Sequence, residues 1–333
     1  MKTALIGENI NNIKRVFSKD VLDYLLENAG YDGKVYSKEQ IFENKELFVD
    51  TEFVFSTWGM PSLSEEEIKE LLPSLKAVFY SAGTVQYFAR PFLNSGVKVI
   101  SAWAANAVPV AEYTVAQIIL ANKGFFKASN PKNTKEFSEK HNNFLLFGGN
   151  YGANIGIIGA GMIGKLVINM LKLYNLNIFV FDPFLPDEKA KELGVKKVSL
   201  NELFSKCNVV SNHLANNEQT KGMLSGELFK LLPKNATFLN TGRGAQVVEN
   251  DLISVLEKRP DIMAILDVTE PEPPIEKSKL YSLCNCILTP HIAGSSGKEV
   301  ERMSEYMLEE YKRFISNRET RYEVNLKMLE TMA

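Results

Sequence analysis

The sequence predicts an α/β chain of two doubly wound domains, and three observations carry that expectation. Short apolar runs alternate with helical patterns in two series, a polar stretch separates the series, and a glycine-rich turn follows the first run of the second. A length of 333 residues suits two cores better than one or three.

The first series has strand-like runs at Thr3 to Ile6, Phe53 to Ser56, Ala77 to Tyr80 and Val97 to Ser101. A helical pattern from Glu65 to Leu72 follows Ser62 and Ser64, residue types that cap helix N-termini. Such alternation places helices on both faces of a parallel sheet. From Val108 to Phe125 apolar residues recur at helical spacing, with Gly124 placed to stop the helix. Lys127 to Asn143 is polar, contains Asn130-Pro131, and reads as a break. The second series has strands near Ile155 to Ile158, Ile178 to Phe181, Asn208 to Ser211, Thr237 to Asn240, Ile262 to Leu266 and Cys286 to Leu288. Six strands suffice for a complete nucleotide-binding sheet. An amphipathic helix from Gly297 to Ile315 follows, and the tail is expected to return to the first domain.

Composition narrows the partners. With 38 basic and 40 acidic side chains there is no electrostatic footprint for nucleic acid, so a small-molecule partner is expected. The start MKTALIGENI has no signal-peptide pattern, and no segment reads as the ~20 apolar residues of a membrane span. Cys207, Cys284 and Cys286 are sparse and odd in number, which points to buried thiols in a reducing, cytoplasmic setting. No metal site is expected, because Cys284 and Cys286 lack the spacing and further ligands of one.

The chemistry begins at Gly159-Ala160-Gly161-Met162-Ile163-Gly164, a G-x-G-x-x-G turn between a strand and a helix. Gly159 allows the tight turn, Gly161 lets backbone approach a pyrophosphate, and Gly164 lets helix and strand pack closely. The phosphates would rest on the helix N-terminus. The next strand ends at Asp182, about 20 residues on, where a carboxylate accepts from ribose hydroxyls and repels a 2′-phosphate. NAD is therefore expected rather than NADP. The other reading of Asp182 is that it starts a turn with Pro183.

Three loops after later strands carry candidate reacting groups. His291 lies in Thr289-Pro290-His291-Ile292-Ala293-Gly294, and imidazole titrates near neutral pH, as a proton donor to a carbonyl should. Glu272 stands among prolines after the preceding strand; facing His291, it would hold one tautomer and favour the imidazolium. Otherwise it belongs to an acidic surface loop. Arg243, flanked by Gly242 and Gly244, offers a planar fork for a carboxylate, or a structural salt bridge. Of the other histidines, His213 is placed to line the cofactor cleft, and His141 reads as a surface residue.

These motifs together resemble the D-isomer-specific 2-hydroxyacid dehydrogenases over nearly the whole chain. The resemblance rests on VAEYTVAQIILA (110 to 121), IGIIGAGMIGK (155 to 165), FDP (181 to 183), LNTGRGAQVVE (239 to 249), ILDVTEPEP (265 to 273) and TPHIAGSS (289 to 296). It implies a Rossmann NAD-binding domain at 106–298 inserted into a flavodoxin-like substrate domain at 1–105 and 299–333, the two enclosing a cleft. It implies that Arg243, Glu272 and His291 catalyse reduction of a 2-oxo acid to a D-2-hydroxy acid, or the reverse. It implies cofactor contacts from Gly159, Gly161, Met162, Ile163, Gly164, Asp182, His213, Leu214, Thr241 and Asp267, the last on the nicotinamide carboxamide. Substrate contacts would come from Arg243, Trp58, Ala82 and Gly83, with backbone N–H groups of Ser81-Ala82-Gly83 holding the carboxylate. The helix at 109–125 would form part of a homodimer interface. A corepressor-like NAD sensor on the same fold is the alternative, against which the catalytic trio argues.

Two stretches depart from the family pattern. Many relatives carry G-x-D-x-I-D where Gly83 is followed here by Thr84-Val85-Gln86-Tyr87-Phe88, and His213-Leu214-Ala215-Asn216 lacks the usual proline-containing run. The side-chain end of the substrate pocket is thus not legible.

Overall fold

A computed structural model describes residues 2–330. Its chain forms two compact units, one of residues up to Asn106 together with those from Ser295 onward, the other Ala107–Gly294.

In the first unit β1 (Thr3–Ile6), β2 (Val35–Tyr36), β3 (Phe53–Ser56), β4 (Ala77–Tyr80) and β5 (Lys98–Ser101) run parallel. Every residue of β1, β3 and β4 is buried, as the unbroken apolar runs require of strands covered on both faces. The helix Glu65–Leu71 starts at a capping box, in which Glu67 N–H donates to Ser64 Oγ at 3.2 Å and Ser64 N–H to Glu67 Oε2 at 2.8 Å.

The second unit holds β6 (Tyr151–Ile158), β7 (Asn175–Phe181), β8 (Lys196–Lys197), β9 (Val209–Asn212), β10 (Thr237–Asn240), β11 (Met263–Leu266) and β12 (Cys286–Leu288). They form one parallel sheet in the order β12-β11-β10-β9-β6-β7-β8. Its strand order reverses beside β6, and in open α/β sheets ligands bind at the carboxyl ends near such a switch. Phe204, Phe229 and Phe238 pack in one core layer; Ile157, Val167, Ile168 and Leu171 pack in the other.

The tail supplies β13 (Glu323–Val324), antiparallel to β5, so the first sheet reads β13-β5-β4-β3-β1-β2. Before it, the helix Glu301–Ile315 sets Tyr311 edge-on against Phe53, Phe55 and Phe79. Such ring pairs contribute roughly 0.5–1.5 kcal/mol each beyond area burial. Glu310, buried, accepts from the N–H groups of Arg321 (2.6 Å) and Tyr322 (3.3 Å) and so fixes the turn into β13.

Several expectations are corrected. The connecting helix runs Trp103–Asn122, beginning before Val108 because the N–H groups of Ala105 and Asn106 already bond Ala102 O. It is long and apolar enough to cross a membrane by length and composition, against the expectation of no such segment; half of that window is buried, with Ala111, Ile118 and Ala121 in the core. The polar stretch read as a break contains a helix, Thr134–Phe144, started by the Asn133 side chain accepting from Glu136 N–H. Of the cysteines, Cys207 is buried and Cys286 partly so, and burial pushes both thiols up to about 12; Cys284 is exposed, because it lies on the surface turn before β12.

Candidate active site

The glycine turn follows β6 directly. Gly159 has φ +87°, a left-handed conformation natural to glycine, and a Cβ there would lie 2.8 Å from His213 O. At Gly164, on the helix Met162–Leu171, a Cβ would meet Gly159 O at 2.0 Å, so only glycine lets the helix close on the strand. Gly161 faces open space, and the first turn at Met162 and Ile163 carries N–H groups that lack intrahelical partners.

Asp182 is tied into the turn by both carboxylate oxygens. Its Oδ1 accepts from Phe184 N–H and its Oδ2 from Ala160 N–H, both at 2.8 Å, so it does build the turn. It also stays partly exposed in a hollow of about 580 Å³ that Ala160 and Gly161 line with it. An open glycine, a helix N-terminus and a carboxylate at one hollow fit the phosphates and ribose of a dinucleotide.

His213 is placed differently from the expectation. Its ring is buried, with Nε2 2.9 Å from Ser211 Oγ, and Nδ1 has no hydrogen-bond partner among the described residues. Burial pushes its pKa down to about 3, so the ring is neutral. It meets the fingerprint through its backbone carbonyl, because the ring turns back along β9 toward Ser211. Thr241 likewise is buried with its hydroxyl 3.3 Å from that of Thr114.

The loops after β9 and β10 are joined by amides that the sequence did not single out. Asn212 Nδ2 donates to Asn240 Oδ1 (3.0 Å) and Gln246 Oε1 (2.6 Å), and Gln246 Nε2 donates to the carbonyls of Leu214 (2.8 Å) and Ala215 (3.0 Å). Arg243 N–H donates to the same Gln246 Oε1 at 3.2 Å. Polar residues closing otherwise apolar strands were the available signal. The network sets the Arg243 backbone, while its side chain is half-buried and donates to Gly242 O at 2.8 Å. No ion pair to Arg243 occurs among the described residues, so its charge is not spent on a structural bridge. A Cβ on Gly244 would lie 2.0 Å from the Thr269 backbone, which brings the Arg243 loop onto the loop leading to Glu272.

That loop and the one after β12 meet at the candidate acid. His291 Nδ1 lies 2.7 Å from Glu272 Oε1, and both side chains are exposed. His291 has φ +55°, an unfavourable conformation for a side chain of this kind, and strain of this sort clusters at functional sites. Its surroundings hold it there. His291 N–H bonds Asp267 O and Thr289 O, both at 3.0 Å. The buried Asp267 carboxylate accepts from Thr289 Oγ1 (2.6 Å), Ile292 N–H and Ala293 N–H (both 2.9 Å). Tyr113 Oη lies 3.2 Å from Thr289 Oγ1 and extends the chain of contacts. Asp267 therefore rivets the histidine loop, a role not anticipated for it.

The remaining named residues belong to the first unit. Trp58 is exposed after β3, with the Arg15 guanidinium 5.7 Å above its ring. Ala82 is buried after β4, and the carbonyls of Ala82 (2.9 Å) and Gly83 (2.7 Å) accept from Ser101 Oγ. His141 is exposed. Among the described residues no cluster of ligating side chains could hold a metal.

Residues 115–293 match the D-isomer specific 2-hydroxyacid dehydrogenase, NAD binding domain. The chain belongs to this family. A Bacillus subtilis protein assigned to the 2-hydroxyacid dehydrogenases is 30% identical over 85% of this chain and 76% of its own length. The D-3-phosphoglycerate dehydrogenase of Methanocaldococcus jannaschii is 32% identical over 62% of this chain but only 39% of its own length. The chain thus spans about two fifths of the phosphoglycerate dehydrogenases that it matches. The NAD-complexed D-isomer specific 2-hydroxyacid dehydrogenase of Lactobacillus delbrueckii ssp. bulgaricus superposes with a TM-score of 0.79 over 98% of this chain and 100% of its own, at 18% identity, a likeness of fold.

Proposed function

We propose that the protein reduces a 2-oxo acid to a D-2-hydroxy acid with NADH, or runs the reverse oxidation. The observation that carries the reading is the 2.7 Å contact between Glu272 and the exposed, conformationally held His291, on the sheet that bears the dinucleotide turn.

Gly159 to Gly164 and Asp182 would hold the nicotinamide cofactor, which would supply the hydride. The protein's own groups do the rest. Arg243, with no acidic partner among the described residues, binds the substrate carboxylate and polarises the carbonyl through its two-pronged fork. His291 donates a proton from Nε2 to the carbonyl oxygen as charge develops there. Glu272 accepts from Nδ1–H, which fixes the tautomer and stabilises the imidazolium before transfer. In the first unit, the backbone N–H groups of Ala82 and Gly83 would donate to a carboxylate; that of Ser81, expected to join them, is instead bonded to Ser56 O at 2.7 Å, because it continues the ladder between β3 and β4. Exposed Leu120, Phe125, Phe137, Leu145 and Leu146, on the connecting helix and the segment that follows it, would be covered in a homodimer.

The test is NADH oxidation by the purified chain across a panel of 2-oxo acids, with chiral analysis of the product. The D-hydroxy acid should accumulate with at least one of them. Tight NADH binding with no turnover of any member would instead favour a sensor.

A further inference from the structure

The carboxyl edge of the first unit carries a hollow of about 370 Å³ whose lining is aromatic and uncharged. Trp58 comes from the turn after β3, Tyr80 ends β4, Tyr87 follows on the next loop, and Gly83, Thr84 and Asn106 complete the wall. We infer that this hollow receives the side chain of the substrate and selects 2-oxo acids bearing a planar aromatic group. The inference rests on the proposed reduction and specifies its substrate class.

The hollow is built rather than incidental. Tyr80 Oη and Tyr87 Oη lie 3.2 Å apart, and the two rings pack against Phe88 at 4.8 and 5.1 Å between centroids. Asn106 Oδ1 accepts from Ser295 N–H at 3.0 Å, tying the opposite wall to the returning tail. Burial pushes both phenols upward, so both hydroxyls remain neutral. Gly83 lies in the lining and also in the loop proposed to hold the carboxylate. A substrate held there by its carboxylate has its C3 substituent within reach of the Trp58, Tyr80 and Tyr87 rings.

Chemistry then discriminates among side chains. A phosphate or sulfonate needs cationic donors, and no lining residue carries a positive charge. Arg15 is held over the Trp58 ring and is not part of the lining. Glyoxylate, with no side chain, would leave the hollow filled with water. An aryl group gains offset or edge contacts with three rings in addition to its desolvation. Burying such a group is worth roughly 10- to 100-fold in affinity.

The experiment compares kcat/KM of the full chain with NADH for phenylpyruvate, pyruvate, glyoxylate, 3-phosphohydroxypyruvate and 3-sulfopyruvate. Phenylpyruvate should exceed pyruvate and glyoxylate by roughly 10-fold or more, with the phosphorylated and sulfonated acids below it. Tyr87→Ala should lower the phenylpyruvate-to-pyruvate ratio by about 10-fold, and Tyr87→Phe, which keeps the ring, should retain most of it. The ratio is insensitive to the fraction of folded enzyme. Preference for an anionic or small acid, or an unchanged ratio in Tyr87→Ala, would overturn the aromatic pocket while leaving the reduction standing. Failure to reduce any 2-oxo acid would remove the reduction, and this inference with it.

Discussion

His213 and His291 follow β9 and β12, two parallel strands of one sheet, and both stand at its carboxyl edge. Their surroundings make them opposites. His213 is enclosed, bonded to Ser211 and driven down to about 3, so it is a neutral packing group. His291 is exposed, faces Glu272 at 2.7 Å and is held at positive φ by bonds that run to Asp267. Position at a binding edge gives a histidine the opportunity for chemistry, and its immediate neighbours decide whether it can carry a proton.

The largest effect should come from the exposed member. His291→Ala is expected to lower turnover by ~100-fold or more with NADH affinity little changed, the usual scale for losing a general acid. Steady-state rates beside a fluorescence titration of NADH would read both quantities; an undiminished rate removes His291 from the mechanism.

The enclosed member should show itself in stability instead. Its folded pKa lies below the unfolded value of 6.5, so between those values the unfolded chain binds the extra proton. The contribution is intact above pH 6.5 and is lost as pH falls toward 3. From pH 7 to pH 5 this amounts to about 2 kcal/mol, at about 1.4 kcal/mol per unit. His213→Gln keeps a partner for Ser211 without titrating, and denaturant midpoints at the two pH values should converge for it. Equal acid sensitivity in variant and parent would show that the burial of His213 does not set this limb.

A smaller effect is expected at Glu272. Glu272→Gln preserves a hydrogen-bond acceptor but removes the charge that stabilises imidazolium, so kcat should fall by about 10-fold at constant NADH affinity. A loss as large as that of His291→Ala would mean that the carboxylate charge and the tautomer it holds, rather than a hydrogen bond alone, are indispensable to His291.

Much of the fold was legible. Thr3–Ile6, Phe53–Ser56, Ala77–Tyr80 and Thr237–Asn240 stand where their apolar runs predicted, because strands buried on both faces need continuous apolar sequence, and the half-buried edge strand Cys286–Leu288 also follows its run. The short strands Val35–Tyr36, Lys196–Lys197 and Glu323–Val324 were not, since two residues have no period to detect. The helix Thr134–Phe144 escaped because its start depends on the Asn133 cap rather than on an apolar stripe.

The site divides the same way. Gly159, Gly164 and Asp182 were readable because close backbone approach and a strand-end carboxylate leave their mark on residue type and spacing. The Asn212–Asn240–Gln246 network and the riveting by Asp267 were not, because each joins loops from different strands, and the inward ring of His213 was not, because its burial depends on what packs around it.

By itself, then, the sequence determined the alternation of strand and helix, the dinucleotide turn and the residue types available for hydride and proton chemistry. Those follow from local backbone sterics and periodic burial, which are written in neighbouring residues. Only the tertiary structure decided which histidine is enclosed and neutral and which faces a carboxylate, what Asp267 holds, and that Trp58, Tyr80 and Tyr87 share one uncharged hollow. Desolvation and hydrogen bonding depend on groups brought together from distant parts of the chain, and no local pattern records them.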